Sequence, residues 1–144
     1  MSELQERFST ALHNTARAWR QAVDRRLKHL GVSQASWLAI AVAAKAPRPL
    51  SQSELADGLG VEGATMVAMV DRLVKAGLVV REPSTTDRRV KRVVLTTAGS
   101  ELYGKVKAEA DAFRREVLAS LDPHQLESAT LLLEQLQTRI ESRS

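Results

Sequence analysis

Residues 51–77 constrain the fold more than any other part of the chain. They hold two short segments, each with its own start and stop signal. Ser51-Gln52-Ser53-Glu54 is a capping box. The Ser51 hydroxyl can accept from the amide three residues on, while the Glu54 carboxylate reaches back to the Ser51 amide. A short helix is predicted to follow as far as Leu59, and Gly60 then permits a tight turn. A further helix is predicted from about Gly63 to Ala76, with Val67, Val70, Leu73 and Val74 inward and Gly77 closing it. Two short helices joined by a few residues that include glycine form a helix-turn-helix.

What comes next has a different period. Leu78 to Glu82 reads as a short strand, Pro83 to Arg89 as loop chemistry, and Val90 to Leu95 as the returning strand. Residues 78–96 carry five basic and two acidic groups, most of the chain's net charge of +4. This concentration therefore belongs to a hairpin and not to a helix face.

The flanks are helical. Leu4, Phe8, Leu12, Trp19, Val23, Leu27 and Leu30 form one stripe on a long first helix, which Gly31 ends. Ser33 caps a second helix, Gln34 to about Ala46, apolar nearly all round and stopped by Pro47 and Pro49. After the hairpin, Thr96 or Thr97 caps a helix from about Ala98 to Ser120, with Leu102, Val106, Phe113, Val117 and Leu121 on its apolar face. Asp122-Pro123 starts the last helix, lined by Leu126, Leu132, Leu133, Leu136 and Ile140. The apolar stripes at both ends need partners. They can pair with each other or with those of a second chain, and the second option suits a helix-turn-helix reader that gains affinity on two half-sites.

The expected fold is thus mainly α with a small β-hairpin wing, organised as one domain over 1–144. Residues 33–99 form a winged helix-turn-helix, and residues 1–31 and 100–144 form a helical dimerisation region. The absence of cysteine excludes a disulfide scaffold, a thiolate zinc site and a thiol switch. His13, His29 and His124 lie far apart and make no metal-binding spacing. Neither a G-x-x-x-x-G-K-[ST] loop, a G-x-G-x-x-G turn nor a G-x-S-x-G elbow occurs. We therefore expect no enzymatic activity, no cofactor and no metal. No apolar run approaches the ~18 residues that suggest a membrane span. The first residues show no cationic stretch followed by an apolar core. A cytoplasmic location without membrane contact is the expectation.

The run Asp87-Arg88-Arg89-Val90-Lys91-Arg92-Val93-Val94-Leu95-Thr96-Thr97-Ala98-Gly99 follows the pattern D-x-R, a basic-apolar strand, then L-T-x-x-G. With this run and its order of elements, the chain resembles the MarR family of bacterial winged-helix transcription regulators. Trp19-Arg20, Asp24, Arg26-Leu27-Lys28, Gln34, Trp37 and Asp87 to Arg92 resemble the SlyA-like branch in particular. The resemblance implies a homodimeric regulator that binds double-stranded DNA at a pseudo-palindromic operator. It also implies a site for a small anionic aromatic ligand, such as salicylate, between the dimer helices and the winged domain. Carried over to this chain, that site involves Arg17, Trp19, Arg20, Ser33 and Trp37. Ala41 stands where some SlyA-like proteins place a histidine, so the pocket differs from theirs.

The DNA contacts follow from chemistry. Arg89 at the hairpin tip can enter a minor groove, where narrow A·T tracts concentrate negative potential. Asp87 can hold its guanidinium in one rotamer, which lowers the ordering cost on binding. Arg88, Lys91 and Arg92 are expected at phosphates, with Arg81 a weaker member of the set. On the second short helix, Glu62, Gly63, Ala64, Thr65, Met66, Ala68, Met69 and Arg72 are the expected outward positions. Ala64, Ala68 and Met69 can touch thymine methyls, and Thr65 can take a base or phosphate. Met66 and Met69 read equally well as core. Many SlyA-like relatives carry an arginine at the position of Ala68, so specificity is expected to lean on the wing and DNA shape. Ser51, Gln52 and Ser53 sit where a helix N-terminus can take a phosphate, plain capping being the other reading. Two further classes fit the same sequence: a non-specific architectural DNA-binding protein, and a winged-helix protein-interaction module.

Overall fold

The capping and turn signals become element boundaries. In the computed structural model, which describes residues 2–143, α1 spans Glu3–Leu27 and runs into a 3₁₀ turn, Lys28–Leu30. Gly31 ends that turn with φ 71°, the left-handed conformation that glycine adopts without Cβ strain. Ser33 caps α2, Gln34–Lys45, accepting from the Ser36 amide at 3.2 Å. Then follow β1 (Leu50–Ser51), α3 (Gln52–Leu59), α4 (Gly63–Lys75), β2 (Val79–Pro83), β3 (Lys91–Leu95), α5 (Thr97–Leu118) and α6 (Pro123–Glu141). The fold is mostly helical with a small antiparallel sheet, as expected.

The sheet holds one strand more than the hairpin reading anticipated. Its order is β1-β3-β2, with Leu50 opposite Val93 and Ser51 opposite Arg92. Two residues after a proline-rich loop, the second of them already the first of the capping box, leave no alternating pattern to read. The capping box itself forms in full. Ser51 Oγ accepts from the Glu54 amide at 3.1 Å, and Glu54 Oε1 accepts from the Ser51 amide at 3.0 Å.

The chain forms two compact units, Met1–Ala110 and Asp111–Ser144. The core of the first gathers Ala39 and Ile40 from α2, Leu55 and Ala56 from α3, Met66, Met69, Val70 and Leu73 from α4, and Val79 and Val93 from the sheet. Each large side chain fully buried there contributes roughly 1.5–3 kcal/mol of hydrophobic stabilisation. The phase of α4 differs from the predicted one. Met66, Met69, Val70 and Leu73 face inward at steps of three, one and three, while Val67 and Val74 are exposed. Both stripes share Val70 and Leu73, and the methionines decide between them: their flexible thioether stems fill irregular core space that β-branched valine fits less readily.

The first turn of α5 is seated against the segment leaving α4. Thr96 donates from its amide to the Leu78 carbonyl at 3.0 Å and from its hydroxyl to the Gly77 carbonyl at 2.7 Å. Thr96 Oγ1 also accepts from the Gly99 amide at 3.1 Å, so Thr96 and not Thr97 caps α5. A Cβ on Gly99 would overlap the Leu78 carbonyl oxygen. This explains the glycine of the L-T-x-x-G run.

In the second unit Asp122 caps α6, accepting from the His124 amide at 3.0 Å, with Pro123 in the first turn. An ion pair joins Arg114 to Asp111 on the closing turns of α5. No residue of α6 is buried. Leu131, Leu132, Leu133 and Ile140 are exposed on it, as are Leu4, Phe8 and Leu12 on α1.

Candidate nucleic-acid interface

The wing is closed locally before its tip is reached. The Ser84 amide donates to the Val90 carbonyl at 2.8 Å, and the Val90 amide donates to the Asp87 carbonyl at 3.0 Å. The Ser84 hydroxyl also lies 3.1 Å from that of Thr86. On this frame Asp87 grips Arg89 three times. Asp87 Oδ1 accepts from the Arg89 amide at 3.0 Å and from its Nε at 3.2 Å, while Oδ2 accepts from a terminal guanidinium nitrogen at 3.2 Å. The hydrogen bonds from Arg89, side chain first and then amide, hold the Asp87 carboxyl below its usual range. The Arg89 side chain is nonetheless 91% exposed. A guanidinium presented to solvent in one orientation is the arrangement expected of a minor-groove probe.

The other basic residues of the hairpin divide. Arg88 and Lys91 are exposed and free to meet phosphates. Arg92 is half-buried, and its Nε is buried with no hydrogen-bond partner among the described residues. It lines a cleft of about 390 Å³ with Arg48, Ser51, Glu54 and Ser84. Arg81 departs from expectation. Its Nε donates to Gln52 Oε1 at 2.6 Å, and one terminal nitrogen donates to Asp71 Oδ1 at 2.6 Å and to the Val67 carbonyl at 3.3 Å. Arg81 is therefore committed to protein acceptors rather than presented to a phosphate. Gln52 is engaged by the same bond.

At the head of α3, the Ser51 hydroxyl is used in capping, and Ser53 alone of the three is exposed. Sequence reasoning missed Arg48. Its two terminal nitrogens donate to Glu54 Oε1 at 3.2 Å and Oε2 at 2.5 Å. The bond from Arg48, helped by the Ser51 amide, lowers the Glu54 carboxyl to about 2. A single arginine between two prolines carries no spacing signal that would have singled it out.

On α4 the exposed positions are Gly63, Ala64, Thr65, Val67, Ala68, Asp71 and Arg72 along the first turns, with Val74 and Lys75 at the closing end. Met69 is a correction: it is buried in the core and cannot touch a thymine methyl, because the helix is turned to put both methionines inside. Val67 takes an exposed place instead. The forward face thus offers small and apolar groups, and Arg72 is its one basic side chain.

The predicted ligand residues do not all converge. Arg17 and Arg20 line a shallow groove of about 400 Å³ with Ala16, Gln21 and Gln34. Arg17 also donates to Asn14 Oδ1 at 2.9 Å. Trp19, Trp37 and Ala41 are half-buried and do not line that groove; Ser33 is spent on capping α2. The Trp37 indole nitrogen is buried without a partner among the described residues. No cluster of His, Cys, Asp or Glu among the described residues could hold a metal ion, and none of the described helices is long and apolar enough to cross a membrane.

A core-packed helix-turn-helix beside a hairpin whose tip arginine is held outward defines a winged-helix DNA-reading module. The model of the MarR family matches residues 30–90. The chain is 38% identical to transcriptional regulator PA3341, over 94% of this chain and 98% of that one, with a TM-score of 0.86. It belongs to the MarR family, whose members are non-enzymatic DNA-binding transcription regulators. The fold also matches Staphylococcus aureus MarR in complex with salicylate and kanamycin: 21% identity, 98% and 95% of the two chains, TM-score 0.88. It matches CouR from Rhodococcus jostii RHA1 bound to p-coumaroyl-CoA as well: 24% identity, 94% and 95% of the two chains, TM-score 0.81.

Proposed function

We propose that this MarR-family regulator works as a cytoplasmic homodimer of the SlyA-like branch that recognises a pseudo-palindromic operator. One observation carries the DNA reading: Arg89 is almost wholly exposed yet fixed on three bonds by Asp87. Arg88 and Lys91 flank it for phosphates. The dimer reading rests on the apolar groups left exposed on α1 and α6, within segments 1–31 and 100–144. Two such readers would address half-sites roughly 34–36 Å apart. Arg89→Ala should cost the most affinity among single wing changes. A Kd at fixed salt equal to wild type sinks the wing as reader.

The sparse forward face of α4 favours a second reading, a non-specific architectural role. Competition between a selected duplex and random DNA separates the two, since a regulator discriminates by ~10³ or more.

We further propose a small anionic aromatic effector. The paired arginines Arg17 and Arg20 support it, because a guanidinium can bind a carboxylate bidentately. Fold relatives crystallised with salicylate and with p-coumaroyl-CoA lend it the ligand class. Such a ligand acts only by binding one dimer arrangement better than another.

A further inference from the structure

Arg81 stands on β2, the strand that leads to the wing tip, yet its guanidinium points away from the tip. It bridges Gln52 at the head of α3 and Asp71 on α4, and it also reaches the Val67 carbonyl. Both side-chain bonds are 2.6 Å, and the Arg81 side chain is only 26% exposed. Three elements therefore meet on one planar fork, which a lysine ammonium cannot reproduce.

We propose that Arg81 is a positioning residue that fixes the wing relative to the recognition helix α4, and that Asp71 and Gln52 serve DNA reading through it. The proposal rests on the reading of α4 and the wing as the DNA-binding surface. Without the bridge, wing and α4 would sample relative orientations in the free protein. Binding DNA with both at once would then carry the cost of ordering them. The placement of Asp71 makes the idea sharp. Its side chain is 61% exposed on the face of α4 that turns outward. By charge alone, removing a carboxylate beside a polyanion strengthens binding. The bridge demands the opposite: neutralising Asp71 releases Arg81 and weakens binding.

The test compares wild type, Asp71→Asn, Arg81→Lys and Gln52→Ala. Each is measured by fluorescence anisotropy on the duplex that wild type enriches from a random-sequence pool, and on an unselected duplex, through a salt titration. Asp71→Asn and Arg81→Lys should each bind the selected duplex about tenfold more weakly, as expected for losing a charged hydrogen bond. The unselected duplex and the salt slope should change little, because no phosphate contact is lost. Gln52→Ala should behave alike and serves if Asp71→Asn fails to fold. Equal or tighter binding by Asp71→Asn overturns the positioning role while leaving the regulator reading intact. Full affinity in Arg81→Lys makes Arg81 a point-charge contact and overturns it too, as does a salt slope lowered by about one. A wild type that enriches no sequence overturns the regulator reading, and the positioning role falls with it.

Discussion

Single carboxylates organise the basic surface. Asp87 and Glu54 each neutralise an arginine only two or six residues away, and each also accepts a backbone amide. The Glu54 carboxyl, lowered from 4.5 to about 2, has a testable consequence. A depressed carboxylate adds stability in full above its ordinary value and loses it as pH falls through the folded one. The gap in melting temperature between wild type and Glu54→Gln should therefore be constant above about pH 5 and close between 4.5 and 2. A gap independent of pH would remove the capping box and its arginine as the cause. The D-x-R pair and the S-x-x-E capping box were legible in the sequence, because each step specifies its own geometry; the arginine that Glu54 also binds was not. The Arg81 partners were not, because Gln52 lies 29 residues away and Asp71 lies 10 away. Only the folded chain brings them within reach.

Helices and strands were legible to the extent that their signals are local. Gly31, Gly60 and Gly77 all take positive φ where a helix or turn was expected to end. The rotation of α4 was not legible, since a stripe containing valines and one containing methionines overlap at Val70 and Leu73. The same limit hid β1, which exists only because β3 offers Leu50 and Ser51 an edge. Where α5 meets the exit from α4, packing makes a strict demand. Gly99→Ala would drive a methyl into the Leu78 carbonyl oxygen, which is backbone and cannot swing aside. Denaturant unfolding should show a loss near the top of the ~1–3 kcal/mol typical of overpacking. Gly104→Ala on the same helix meets nothing within contact distance and should be neutral or slightly stabilising, since helical glycine costs up to ~1 kcal/mol relative to alanine. Equal effects at the two sites would remove the steric explanation.

At the scale of the molecule, large apolar side chains stand exposed on both terminal helices. Leu4, Phe8, Leu12, Leu132, Leu133 and Ile140 are all exposed. If a second copy covers them, Phe8→Asp with Leu133→Asp should yield monomers in sedimentation equilibrium and weaken binding to a two-half-site duplex. Binding to a single half-site should stay within about threefold, because the reader itself is untouched. Dimers that persist with both substitutions would place the interface elsewhere. The joint at Gly99 matters at this scale as well. α5 starts on the Leu78 carbonyl with no clearance, and it carries the chain from the first compact unit into the second. Any tilt of the first turn of α5 would therefore bear directly on Leu78, the residue that follows the Gly77 turn out of α4.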